Sequence, residues 1–230
     1  MAHATILRLY HLEPLVTTLG PGRRAGLWVQ GCRIGCPGCL VPDSHDPNAG
    51  DEVAVDGLID RLVALPAIEG LTVSGGEPFD QAPALRALLE GLRERRSDLS
   101  LMLYSGYRRE RLEDQADGRA ILAQADILVD GPFVVAEQSP DPWRGSTNQR
   151  IHFLSDRYGA RDHAAAPLDG LEFLVRRNGA FFMAGIPAPG VWEAVHQRLG
   201  APSAAPGEFA DGGRAAGPIA GADGTRNSTT

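Results

Sequence analysis

Apolar residues in the first 130 positions follow two different spacings. Short apolar runs, which favour strands, occur near the start of the chain and again at residues 26–29, 70–73, 99–104 and 127–129. Apolar residues three and four positions apart predict helices at residues 55–65, 83–95 and 108–125. Strands that alternate with helices are typical of βαβ units, so the sequence predicts an α/β fold with parallel strands.

The pattern changes after residue 130. Two apolar runs, at 171–175 and 180–184, flank Asn178-Gly179, and Asn-Gly between such runs is typical of a β-hairpin. A short helix is predicted over 191–199. Residues 201–230 contain almost no large apolar side chains, which predicts a disordered tail. We therefore expect a core domain at 1–165, a hairpin and helix extension at 166–200, and a tail at 201–230.

Composition excludes several classes of function. The net charge of −7 disfavours binding to a nucleic acid backbone. The chain has no apolar run of 18 residues and no apparent signal peptide, so we expect a cytoplasmic protein without membrane contact. Its three cysteines all lie within residues 32–39, which is a poor disulfide framework. Metal or redox chemistry in a reducing compartment is the better interpretation.

The three cysteines, Cys32, Cys36 and Cys39, have the spacing C-x3-C-x2-C directly after a predicted strand. Thiolates suit iron–sulfur clusters or zinc. Three thiolates can bind three irons of a [4Fe–4S] cube and leave the fourth iron open to a substrate. Alternatively, His45 could complete a Cys3His zinc site. The cysteine spacing alone leaves both possibilities open.

A second candidate segment is Ser74-Gly75-Gly76-Glu77-Pro78, between a predicted strand and a helix. Two glycines allow close approach of a ligand, and backbone groups at a strand end could pair with the amino acid part of that ligand. Gly106 and Asp130 also follow predicted strands. In parallel α/β folds the chemistry lies at the carboxyl ends of the strands, so these segments are expected to form one site.

Together these motifs resemble the radical S-adenosylmethionine (SAM) superfamily, and most closely its anaerobic ribonucleoside-triphosphate reductase activating enzymes. The similarity runs from about residue 20 to residue 153, with matching order and spacing. Its motifs are Gly20-Pro21-Gly22-x-Arg24, the cysteine segment, the Ser74–Pro78 segment, Tyr104-Ser105-Gly106-Tyr107, Leu128-Val129-Asp130-Gly131-Pro132-Phe133 and Trp143-Arg144-Gly145-Ser146-x-Asn148-Gln149.

The resemblance implies an incomplete TIM-type (β/α) barrel with a [4Fe–4S] cluster on Cys32, Cys36 and Cys39. It implies that SAM chelates the fourth iron, that residues 38–40 pack near the adenine, and that residues 75–77 hold the methionine amino group. The residues expected to contact SAM are Gly38, Leu40, Gly75, Gly76, Glu77, Tyr104, Gly106, Asp130 and Asn148.

The activity implied by the resemblance is reductive cleavage of SAM to a 5′-deoxyadenosyl radical. That radical would take hydrogen from a glycine of a partner such as anaerobic ribonucleotide reductase. A low-potential donor such as flavodoxin or ferredoxin would supply the electron, and no protein residue beyond the cluster ligands is expected to be catalytic.

Two features depart from the family pattern. Leu40-Val41-Pro42 follow Cys39 where the family commonly has an aromatic residue and then asparagine, and residues 154–199 are absent from the shortest members. These features suggest as an alternative a radical SAM enzyme that modifies a peptide or small metabolite directly. A non-enzymatic zinc or iron–sulfur binding module is a third hypothesis.

Overall fold

A computed structural model describes residues 4–167, 170–175 and 181–199 of the chain. The strands in these ranges are β1 (Ile6–Val16), β2 (Arg24–Val29), β3 (Asp51–Ala54), β4 (Gly70–Gly75), β5 (Ser100–Ser105), β6 (Ile127–Asp130), β7 (Arg150–Phe153), β8 (Leu171–Val175) and β9 (Phe181–Gly185). The helices are α1 (Val55–Ala64), α2 (Ala82–Arg95), α3 (Arg109–Glu113), α4 (Ala116–Gln124), α5 (Ala160–Ala164) and α6 (Val191–Leu199). The tail at 201–230, predicted to be disordered, lies outside the described residues.

Seven strands form one sheet in the order β3-β1-β2-β4-β5-β6-β7. Strands β2, β4, β5 and β6 are parallel neighbours, which confirms the predicted α/β fold with a parallel sheet. Strands β1, β3 and β7 are antiparallel additions, so the sheet is mixed. The pattern did not predict β3 and β7 because each has four residues and carries charged or polar side chains.

Alternation along the parallel strands separates two faces. Leu71 and Val73 of β4, and Leu101 and Leu103 of β5, enter one core with helices α1, α2 and α4. Side chains at the intervening positions point to the opposite face because successive strand residues alternate. There Met102 packs in a second cluster with Ile127, Val129 and Trp143. The helices cover one face, and the other is available for a site.

The helices form where the apolar spacing predicts them. Helix α2 buries Leu85, Leu88, Leu89 and Leu92 completely or nearly so, which is the predicted stripe. The helix expected at 108–125 is instead two helices, α3 and α4, because Gln115 has an extended backbone with φ −103° and ψ 140°. None of the helices in the described ranges has the length and apolar character that a membrane span requires.

A buried arginine joins three strands on the face of the sheet that the helices leave uncovered, which we call the inner face. Arg24 is fully buried and donates hydrogen bonds to Thr72 Oγ1 at 2.6 Å, Ser100 Oγ at 2.7 Å and the Leu71 carbonyl oxygen at 2.8 Å. Burial lowers its pKa to about 10, so the guanidinium remains charged near neutral pH. The arginine of the Gly-Pro-Gly-x-Arg motif therefore links β2, β4 and β5.

Strands β8 and β9 pair antiparallel, as the sequence predicts for the C-terminal hairpin. Their connecting residues, including Asn178 and Gly179, lie outside the described residues. Phe182 and Ala184 of β9 share a buried cluster with Val16, Leu19 and Trp28. The hairpin therefore packs on β1 and β2, while the boundary between a 1–165 domain and a 166–200 extension stays a prediction.

Candidate cofactor site

The ends of the parallel strands are joined by backbone hydrogen bonds. The Gly76 amide donates to the Val29 carbonyl at 2.8 Å, and the Glu77 amide donates to the Gly31 carbonyl at 2.8 Å. The Gly131 amide donates to the Ser105 carbonyl at 2.9 Å. The segments after β2, β4, β5 and β6 therefore meet at one edge of the sheet, as expected for a parallel α/β fold.

The cysteine loop is anchored at its base and tightly turned at its centre. The Cys32 amide donates to the His45 carbonyl at 3.1 Å, and the Cys39 amide donates to the Cys36 carbonyl at 3.1 Å. Between them Gly35 has a φ of +62°, a conformation that residues with side chains rarely adopt. The anchored base and the turn bring three cysteines to one short loop beside the strand ends.

One cavity brings together most of the residues predicted to form the site. All three cysteines line it, and none is in a disulfide. The other predicted site residues that line it are Leu40, Gly75, Gly76, Glu77, Tyr104 and Gly106. Strand alternation accounts for three of the lining residues, because Trp28, Ser74 and Tyr104 lie on the inner face of β2, β4 and β5.

Glu77 is buried and holds two strand ends together. Its carboxylate accepts hydrogen bonds from the Ser105 hydroxyl at 2.9 Å, the Gly106 amide at 2.8 Å and the Phe79 amide at 3.0 Å. Burial raises the pKa of Glu77 to about 7, although these hydrogen bonds oppose the shift. The site thus contains a carboxyl group that titrates close to neutral pH.

We expect Glu77→Gln to remove a pH dependence from the stability of the iron-free protein. Because the native pKa is raised, the stabilisation is present below the unfolded value of 4.5 and is lost as pH rises through about 7. The shift corresponds to about 3 kcal/mol. Urea unfolding across that range should therefore show a steeper loss in wild type than in Glu77→Gln. The exposed Glu94→Gln variant should keep the wild-type slope, and equal slopes in all three proteins would contradict the expectation.

Tyr104 lines this cavity, and its hydroxyl is buried without a hydrogen-bond partner among the described residues. Burial raises the pKa of Tyr104 above its usual value, so the hydroxyl stays neutral and can donate. A buried polar atom without a partner is costly, and because this oxygen is covered by its neighbours, the lack of a partner does not by itself indicate a ligand.

Three predicted site residues do not line the cavity. Asp130 is fully buried and accepts hydrogen bonds from Arg150 Nε at 2.9 Å and the Arg109 amide at 2.6 Å. Burial alone would raise its pKa, but these donors hold the pKa below its usual value. Asn148 donates to the Pro132 carbonyl at 2.8 Å, and Gly38 lies against Val135. In this structure these residues bind or pack against the segments around the cavity.

The donor set of the loop fits an iron–sulfur cluster. In the described ranges no three His, Cys, Asp or Glu side chains are placed to hold one metal ion. A zinc site needs four ligands at about 2.0–2.3 Å from one ion, whereas a cubane takes a single thiolate at each iron. Three free thiols that line one cavity fit a cubane, with one thiolate for each of three irons. His45, the fourth ligand of the alternative zinc site, lines the same cavity. Burial raises the pKa of Cys32 and Cys39, so metal binding there must displace protons.

Several lining residues were not predicted from the sequence. They include Trp28, Ile34 and Phe133, and from the C-terminal extension Met183, Gly185 and Ile186. Gln149, from the motif at residues 143–149, also lines the cavity. Alternation along β2 could have indicated Trp28, because it lies between the core residues Leu27 and Val29. No sequence signal connects Met183 to the cysteine loop, since that contact depends on how the hairpin docks.

Comparison with known proteins agrees with this geometry. The 4Fe-4S single cluster domain family matches residues 18–152. The anaerobic ribonucleoside-triphosphate reductase-activating protein of Vibrio cholerae is 32% identical over 152 residues, which cover 62% of this chain and 96% of that protein. The proteins of that name from Haemophilus influenzae and Escherichia coli K12 are 34% identical over 140 residues and 30% identical over 156 residues. These matches cover 58% and 63% of this chain, and 89% and 98% of the relatives.

A solved structure, QueE from Escherichia coli, aligns with 44% of this chain and 53% of its own, at 13% identity and a TM-score of 0.33. The family predicted from the cysteine, glycine and tryptophan motifs is confirmed by the sequence matches. The chain therefore belongs to the 4Fe-4S single cluster domain family and to the family of the anaerobic ribonucleoside-triphosphate reductase-activating proteins.

Proposed function

We propose that this chain is a radical SAM activating enzyme that forms a glycyl radical on a partner resembling anaerobic ribonucleotide reductase. The observation that carries the proposal is the shared cavity of Cys32, Cys36, Cys39 and the Gly75–Glu77 turn. Family membership supports the same activity. In this proposal the open mixed sheet is an incomplete TIM-type barrel, and the enzyme acts in the cytoplasm.

The cluster ligands are assigned to Cys32, Cys36 and Cys39. Each thiolate would hold one iron, which leaves one iron for the amino and carboxylate groups of SAM. When bound, the reduced cluster supplies one electron that breaks the C5′–S bond of SAM, giving methionine and a radical that takes a hydrogen atom from the target glycine. The roles of the protein are to bind, orient and exclude water.

The Gly75–Glu77 turn is assigned to the methionine amino group. The Gly76 and Glu77 amides already donate hydrogen bonds to the carbonyl oxygens of Val29 and Gly31. The turn would therefore bind an ammonium group through its own carbonyl oxygens. Glu77 can contribute as well, because a carboxylate accepts about four hydrogen bonds and three donors contact it here. Tyr104 is assigned to SAM as a side chain that lines the cavity.

The remaining predicted contacts divide into residues that line the cavity and residues that fix its loops. Leu40 and Gly106 line the cavity and are assigned to the nucleoside part of SAM. Gly38, Asp130 and Asn148 would act indirectly, by fixing the loops that carry lining residues. The electron donor is proposed to be flavodoxin or ferredoxin, since cleavage of a sulfonium requires a low-potential source.

Anaerobic reconstitution tests this function. The loaded protein should contain about four irons per chain and should form 5′-deoxyadenosine when SAM and dithionite are added. With a candidate partner reductase present, electron paramagnetic resonance should show a carbon radical. Its hyperfine splitting should change when the partner reductase is made with α-deuterated glycine. A loaded protein that forms no 5′-deoxyadenosine would refute the radical SAM assignment. Formation without any partner radical would favour direct modification of a peptide or metabolite.

A further inference from the structure

The C-terminal hairpin forms part of the cofactor cavity. Met183, Gly185 and Ile186 line the same cavity as the three cysteines. These residues lie beyond residue 152, where the family match ends. The hairpin of the predicted C-terminal extension therefore contributes a wall to the proposed active site.

Two sets of contacts hold this wall against β1 and β2. The Glu172 carboxylate accepts hydrogen bonds from the Thr17 amide at 3.0 and 3.1 Å and from the Thr17 hydroxyl at 2.7 Å. The Phe182 ring is stacked 4.0 Å from the His11 ring and lies edge-on at 4.7 Å from the Trp28 ring. Because Trp28 also lines the cavity, the hairpin is fixed directly to the site.

The chain after β9 continues across the cavity. Ile186 lines it, and the next carbonyl, that of Pro187, lies 3.5 Å from Gln138 Nε2 in the segment after β6. The extension therefore contacts the sheet at β1 and β2 and also reaches the loop that follows the last parallel strand. A target molecule that approaches the cavity beside this segment would contact it.

The wall and most of its surroundings are apolar. Pairing places Phe173 opposite Met183, so the two side chains share one face of the hairpin, and Phe173 is 44% exposed. Ile34, Leu40 and Phe133 line the same cavity, whereas no arginine of the described residues does. The polar lining side chains include Glu77, His45 and Gln149. A carboxyl group at the site and the absence of arginine from the described lining residues favour a neutral main-chain segment over an anionic target.

We infer that the β8–β9 hairpin is a fixed wall of the substrate entrance, and that Met183 and Ile186 set the size of the residue that can reach the site. The glycine-bearing peptide segment is taken from the proposed function, and the new element is the size limit that this wall imposes on it. This inference deepens the proposed function and rests on it for the identity of the reaction. The wall itself is a property of the apoprotein and can be measured separately.

The first measurement uses the reduced, iron-free full chain. The rate at which iodoacetamide and a bulky fluorescein maleimide alkylate each cysteine is measured by mass spectrometry. Met183→Ala combined with Ile186→Ala should raise the maleimide rate several-fold with little change for iodoacetamide, and Met183→Trp should lower it. Val175→Ala is the matched control, because Val175 belongs to the hairpin but is 71% exposed and does not line the cavity. Unchanged maleimide rates in both cavity variants would overturn the wall.

The second measurement uses reconstituted protein with SAM, dithionite and a short peptide centred on α-deuterated glycine or α-deuterated alanine. Wild type should transfer deuterium to 5′-deoxyadenosine from the glycine peptide only, and the double alanine variant should also accept the alanine peptide. Equal transfer from both peptides by wild type would overturn the size limit. Abundant 5′-deoxyadenosine without transfer from either would overturn the peptide class. If wild type forms no 5′-deoxyadenosine, the proposed function fails while the alkylation result still decides the wall.

Discussion

Cys36→Ala is expected to abolish cluster assembly and the cleavage of SAM. Cys36 is the central member of the loop, its carbonyl accepts the Cys39 amide at 3.1 Å, and the chain has no cysteine outside the loop that could replace it. With Cys36 removed, only two thiolates remain for the cube, so a second iron would have no protein ligand. Iron should fall from about four per chain to background, and the brown absorption and 5′-deoxyadenosine should disappear together.

The control for this prediction is Arg33→Ala in the same loop. The Arg33 side chain is exposed, and the contact of this residue with Asp80 is made by its backbone amide at 3.0 Å. The control should therefore retain iron and cleavage. Normal SAM cleavage by Cys36→Ala would show that the cluster has another ligand set.

Gly76→Ala is expected to impair both the cysteine loop and the ligand turn. A Cβ at Gly76 would lie 2.2 Å from the Gly31 carbonyl oxygen and 3.0 Å from the Ser44 carbonyl oxygen. Both atoms are backbone, so a rotamer change cannot relieve the contact, and the strand that leads into Cys32 must shift. Such overpacking costs about 1–3 kcal/mol. We expect lower stability in urea, reduced iron after reconstitution, and weaker SAM binding by calorimetry.

Gly57→Ala provides the comparison for Gly76→Ala. Gly57 lies in α1, and a Cβ there meets no atom within 4 Å. Because alanine favours a helix over glycine, this variant should gain about 0.5–1 kcal/mol. A Gly76→Ala protein with the stability and iron content of Gly57→Ala would contradict the close approach of the two segments.

The sequence alone was sufficient for the family, the position of the cysteine loop beside the strand ends and the parallel core. These features depend on local spacing, since C-x3-C-x2-C lies on one loop and the periods of α2 or β4 arise within single segments. The glycine-rich turn was also visible, although the reason for Gly76 was not. The sequence indicated room for a ligand, whereas the structure shows the Gly31 backbone at that position.

Tertiary structure decided the remaining features of the site. Asp130 ends a strand as predicted, but its position beside Arg150 and the Arg109 amide engages it away from the cavity. Met183 reaches the cavity because Glu172 and Phe182 fix the hairpin to residues more than 150 positions away in the chain. Such contacts join distant segments through side-chain packing and hydrogen bonds. Local periodicity contains no information about them, which is why the wall of the proposed entrance emerged only from the folded chain.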